Sequence, residues 1–274
     1  MFEATWNPLP GRRTGEISLD RLLVPSRWGK PQQVLVSPKI DLFHEAVPDE
    51  WIARVFNVMA DASQHTYQIF TKHSKRMQRI LYGPKSHTTW DRRLWHRSVL
   101  PNVWLGVSVE DQATADERIP HLLATPAAKR VVKANPLGSM DIERFLRPSW
   151  GELRPSSIGG LARPLLPALD WVIVSGEVGR GARPCDVAWV RSIRDQCRAT
   201  ATPLFVERLG SCPYDSDRMQ SVPGHERVVS VSEIDDESIE TIYRCIAAAS
   251  MTLFDRDGSD PAEWDDDLRV RQRP

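Results

Sequence analysis

The sequence predicts an α/β fold: a full or partial (β/α) barrel of about six to seven parallel strands. Three observations carry this expectation. Short apolar, β-branched runs recur at the span of one βα unit, with starts 27 to 41 residues apart. The runs are apolar at successive positions, as parallel strands covered on both faces are. The segments between them place apolar residues at helical spacing.

The strand runs are 2–6, 34–36, 67–70, 103–107, 130–132, 171–174 and 204–206. A first helix opens at Pro48, Asp49 and Glu50, with Pro in the first turn and acids at the positive end of the dipole. Trp51, Ile52, Val55, Phe56 and Met59 form its apolar stripe. Residues 112–124 carry Ala115, Ile119, Leu122 and Leu123 on one side of a second helix. Asp186 is the expected N-cap of a third, which bears Val190, Ile193 and Cys197. A last helix is expected over 238–254. The organisation is one barrel domain over 1–254, with Pro-, Gly-, Arg- and Ser-rich insertions near 84–98 and 147–168. The acidic-then-basic end, 255–274, reads as a mobile tail.

The chain has 274 residues, with 36 Lys and Arg against 36 Asp and Glu and a pI near 7.1. No global basic footprint marks a nucleic-acid binder, although a local patch stays open. No apolar run reaches the roughly 18 residues of a membrane span, and MFEATWNPLPG lacks a signal-peptide pattern. A cytoplasmic protein without a membrane partner is expected. Cys185, Cys197, Cys212 and Cys245 form no C-x-x-C pair and read as free thiols. The ten Trp suggest a large core and a flat-walled pocket.

In a barrel, the C-terminal strand ends converge on one mouth, and function sits there. Those ends supply Asn7, Ser37, Lys39, Asp41, Thr71, Lys72, Ser108, Glu110, Asn135, Ser175, Gly176, Glu177, Arg180, Arg183 and Arg208 as candidate ligand-binding residues. Taken singly, each is an ordinary turn, cap or solvated residue; together they predict a polar, mixed-charge pocket. Glu177, Lys133, Glu110 and Glu207 are the candidates for acid or base work. In SGEVGRGARP, Gly176, Gly179 and Gly181 would let backbone N–H groups approach a phosphate or carboxylate; a tight structural turn explains them equally well. The loop Pro10, Gly11, Arg12 and Arg13 has the same two readings. Asp41, His44 and Glu45 make a weak metal cluster, for which capping and helix entry are the better reading.

Several segments together resemble one family. TWNP, RWGKP…DLFHEAVPDEWI, QHTYQIFTK, LPNVWLGVSVEDQATADERIP and DWVIVSGEVGRGARPCDVAWVRSIRDQC follow, over about residues 4–210, the motif order of the phage- and prophage-encoded radical-SAM-like proteins of unknown function. The resemblance implies a partial (β/α) barrel with an iron–sulfur cluster and S-adenosylmethionine at the mouth, the cysteines lying in the loop after TWNP. A cluster of this kind needs at least three thiolates. Here TWNP runs directly into LPGRRTGEISL, and no cysteine precedes Cys185. The chain also has Ala134, Asn135 and Pro136 where the family carries Cys-Glu-Pro, and Glu207-Arg208 where Lys-Gln is expected. A [4Fe–4S] cluster is therefore not expected, and S-adenosylmethionine is implied by the resemblance alone. Three readings follow. The first is a cluster-less barrel binding a polar small molecule, nucleotide or nucleic acid. The second is an enzyme with non-radical acid/base chemistry. The third is a protein-interaction scaffold presenting Trp90, Trp95 and Trp150, or a decayed prophage remnant.

Overall fold

The computed structural model of the chain describes residues 4–9, 19–82, 99–148, 167–220 and 259–274. Seven parallel strands form one curled sheet, a half-barrel flanked by helices. The strands are β1 (Ala4–Trp6), β2 (Gln33–Val36), β3 (Thr66–Thr71), β4 (Val103–Val109), β5 (Lys129–Ala134), β6 (Trp171–Ser175) and β8 (Leu204–Arg208). They lie side by side in chain order. Two short strands, β7 (Cys185–Asp186) and β9 (Pro213–Tyr214), pair separately. The helices are α1 (Leu19–Leu22), α2 (Asp49–Asp61), α3 (Ser74–Tyr82), α4 (Gln112–Leu123), α5 (Val187–Ala199) and α6 (Ser216–Gln220).

Alternation along each strand feeds two cores. Val34, Ile69, Leu105, Val107, Val132 and Val174 face the helices and pack with Ile52, Val55, Ile119 and Val190. The opposite, concave face carries Val131, Trp171, Ile173 and Phe205, with Phe70 and Trp104 packed against them. Trp171 stands edge-on between Trp104 and Phe205, each ring centroid 6.1 Å away. Gly106 makes this packing feasible: a Cβ there would lie 2.6 Å from the Phe70 ring. Helices α4 and α5 carry side-chain caps at their entries, the second of them expected from the sequence. Asp111 accepts from Thr114 N–H at 2.8 Å, and the Thr114 hydroxyl accepts from Asp111 N–H, closing a capping box. Asp186 caps α5 by accepting from Ala188 N–H.

Three expectations need adjusting. Helix α3 has no counterpart in the sequence reading, because its apolar stripe is short, Met77, Ile80 and Leu81 among charged residues. The loop Pro10–Arg13, the helix at 238–254 and nearly all of the insertions near 84–98 and 147–168 lie outside the described residues. The charged end, predicted to be a mobile tail, is instead docked over residues 259–274. Val206 N–H donates to the Val270 carbonyl and Gln272 N–H to the Leu204 carbonyl, both at 2.7 Å, so the end pairs antiparallel along β8. Trp264 and Leu268 are buried. Arg191 of α5 binds Asp215, Asp265 and Asp267 at 2.8, 2.9 and 3.0 Å. The acids that suggested solvation are neutralised by arginines distant in sequence.

Candidate functional site at the strand ends

The strand ends gather most of the predicted residues, in three groups. The first bridges β3 and β4. The Glu110 carboxylate lies between the Lys72 ammonium and the Arg118 guanidinium, the latter at 2.8 Å. Arg118 also donates to the Ser108 carbonyl at 2.7 Å, so Ser108 enters through its backbone. Beside them, Asp41 accepts from the Thr71 hydroxyl at 2.8 Å, from Lys72 N–H at 2.8 Å and from Phe43 N–H at 2.9 Å. Asp41 and Thr71 thus tie the end of β2 to that of β3. His44 Nδ1 accepts from Ala46 N–H, and these contacts leave Asp41, His44 and Glu45 as turn residues. Among the described residues, no group of three His, Cys, Asp or Glu side chains is placed to hold a metal.

The second group crosses β5, β6 and β8. The Lys133 ammonium donates to the Glu207 carboxylate at 2.8 Å, and Asn135 donates to the Ser175 carbonyl at 2.5 Å. Burial works to raise the Glu207 pKa, but Lys133, Arg208 and a hydrogen bond from Ser175 outweigh it and hold the carboxyl below its usual range. Arg208 sits 3.7 Å from Glu207, and its buried Nε has no partner.

The third group is the glycine-rich loop after β6. Gly176, expected to admit a ligand, is pressed against another loop: a Cβ there would lie 2.1 Å from the Leu209 carbonyl oxygen. Gly176 N–H donates to the Arg208 carbonyl and Ser211 N–H to the Glu177 carbonyl. Gly179 and Gly181 take φ of +96° and +81°, conformations that suit glycine. The loop holds its own carboxylate. Arg183 donates to Glu177 from its backbone N–H at 3.1 Å and from Nε at 3.0 Å. Those bonds, the side-chain one foremost, hold the Glu177 carboxyl down at about 2. The structural turn is therefore the better of the two readings of these glycines. Lys72 adds to the field on Glu177, and Glu110 to that on Arg183, so the first and third groups share one neighbourhood. Arg180 is exposed.

Asn7, Ser37 and Lys39 lie apart from these groups, around a cavity of about 420 Å³ at the ends of β1 and β2. Sequence reasoning missed Arg118, which reaches the site from α4, and Arg21, which lines that cavity. It also missed Gln68, fully buried in β3 with neither amide atom partnered. A polar residue inside the apolar run of β3 was the available signal.

Among the described residues, the thiols are not grouped as ligands of an iron–sulfur cluster would be. Cys185 and Cys197 are buried in separate elements, β7 and α5, where burial pushes each thiol up to about 12. Cys212 is exposed.

A parallel half-barrel with charged strand ends defines the class. The chain belongs to DUF5131, a family of proteins of unknown function, whose model matches residues 2–251. No curated protein and no solved structure matches the chain. No helix among the described residues is long and apolar enough to cross a membrane.

Proposed function

We propose that the protein is a phage-type, radical-SAM-like half-barrel that has lost its iron–sulfur site and binds a polar or anionic ligand, a nucleotide foremost, at the C-terminal strand ends. The observation that carries the reading is the meeting of Lys72, Glu110, Glu177 and Arg183 from three different strand ends. Function in parallel barrels collects at such ends. The loss of the cluster rests on the donor set: the loop after β1 supplies no thiolate. S-adenosylmethionine is one candidate ligand, on the resemblance alone.

The acid/base reading gains less support. Glu177 and Glu207 both have depressed pKa values. Both are ionised at neutral pH, whereas a general acid works best with a pKa near the working pH.

A thermal-shift screen of nucleotides and S-adenosylmethionine tests the proposal on the wild type and on Glu177→Gln and Lys72→Gln variants. A dose-dependent rise for at least one ligand, reduced in a variant, is expected. No shift with any ligand counts against the reading. Anaerobic reconstitution with iron and sulfide tests the cluster separately. A stoichiometric, oxygen-sensitive charge-transfer band that supports reductive cleavage of S-adenosylmethionine overturns its loss.

A further inference from the structure

The charges at the ends of β3 to β8 are largely satisfied by one another. Lys72 and Arg118 meet Glu110, Arg183 meets Glu177, and Lys133 meets Glu207. The β1–β2 side is different. Its cavity of about 420 Å³ is lined by Asn7, Arg21, Ser37 and Lys39, with apolar walls that include Val24 and Ile40 and no lining carboxylate. Ser37 is only 6% exposed, and its hydroxyl has no hydrogen-bond partner. An orphaned buried hydroxyl is unfavourable unless something else completes the bond. Its backbone is fixed, since Ser37 N–H donates to the Trp6 carbonyl at 2.7 Å. Its φ of +51° is a left-handed conformation uncommon for serine. Arg21 and Lys39 are exposed, and neither side chain is paired among the described residues.

Two cations without a charged partner among the described residues, an amide and an orphaned buried hydroxyl around one cavity make an oxyanion receptor. We propose that this cavity binds the phosphate or carboxylate group of a small ligand. Lys39 and Arg21 supply the charge, and the Ser37 hydroxyl and Asn7 amide donate hydrogen bonds. Its volume falls within the range of small-molecule pockets, about 300–1,000 Å³, so the ligand extends beyond its anionic group along Val24 and Ile40. The inference rests on the strand ends being a ligand-binding mouth, and it places the anion on the β1–β2 side rather than among the compensated charges.

Isothermal titration of the full chain with inorganic phosphate and, separately, acetate, each to about 10 mM, tests it. Saturable one-site binding of at least one ion is expected. Phosphate without acetate assigns a phosphoryl group, and the reverse a carboxylate. Lys39→Gln and Ser37→Ala should each weaken binding about tenfold, while Lys129→Gln, at the opening of β5 and so at the opposite end of the sheet, leaves it unchanged. Ser37→Ala should keep the thermal midpoint, because the hydroxyl has no hydrogen-bond partner among the described residues, so lost binding is read apart from lost folding. No saturable binding of either ion overturns the inference. Binding that survives Lys39→Gln but is lost in Lys72→Gln also overturns it, while leaving the ligand-binding mouth standing.

Discussion

Lys133 on β5 and Glu207 on β8 meet at 2.8 Å across the intervening strand β6, most of each side chain shielded from water. A shielded pair of this kind holds two strand ends in register, and removing one partner strands the other charge. Lys133→Met alone should lower unfolding free energy by about 3 kcal/mol. The double variant Lys133→Met, Glu207→Met should recover most of that loss. Urea unfolding of the two singles and the double gives the cycle; purely additive losses would contradict the coupling.

Glu177 gives a pH signature. Its carboxyl is depressed from an ordinary 4.5 to about 2 by Arg183. A depressed acid contributes stability that is present above the unfolded pKa and lost as pH falls through the folded one. The Glu177–Arg183 contribution should therefore be complete above about pH 4.5 and vanish toward pH 2. Glu177→Gln should flatten the wild-type loss of thermal midpoint across that window and leave the profile above it parallel. Because Arg183 is 56% exposed, added salt should shrink the effect.

Glycines in and near the β6 loop separate close approach from backbone freedom. Gly176→Ala puts a methyl carbon against the Leu209 carbonyl, and should destabilise by about 3 kcal/mol, the upper end for overpacking. Gly179→Ala meets nothing within 4 Å but keeps a φ of +96°, and should cost about 1–2 kcal/mol. Gly138→Ala, with open space and no positive φ, should be neutral or slightly stabilising. Thermal midpoints in that rank order are the check.

Gln68 should be improvable. Its amide is buried on the concave face without partners, so Gln68→Met removes two unsatisfied groups and should raise stability by about 1–3 kcal/mol. A fall in the thermal midpoint would show that the amide is bonded in solution.

The docked end is testable through β8. Val206 N–H is donated to the Val270 carbonyl, so its hydrogen exchange should be slow in the full chain. Trp264→Ala, which empties a buried site, should cost about 3–5 kcal/mol and speed exchange at Val206 more than at Ile69 in β3. Equal acceleration at both would mean the end has no preferential hold on β8.

The strands are legible because each is a local run of apolar residues with one burial demand. In β6 all five residues are buried, and nothing but a covered parallel strand suits such a run. The cap Asp186 is legible for the same reason, since it acts on an amide two residues away. Contacts set by sheet order are not. Lys133 and Glu207 are 74 residues apart, and only the side-by-side order of β5, β6 and β8 brings them together. Asp41 reads as a ligand contact until the β2–β3 register shows Thr71 and the Lys72 amide filling its oxygens. The charged end misleads because charge density alone cannot reveal that Arg191 waits for its aspartates.

The pairing of the last residues with β8 also bears on synthesis. Val270 and Gln272 leave the ribosome roughly sixty residues after β8 does, a delay of several seconds at about 5–20 residues per second. During that interval the nascent sheet lacks the backbone partners that Val270 and Gln272 give to β8, and unpaired strand edges are templates for pairing with another chain. Emergence of Val270 and Gln272 is thus the event that pairs this edge.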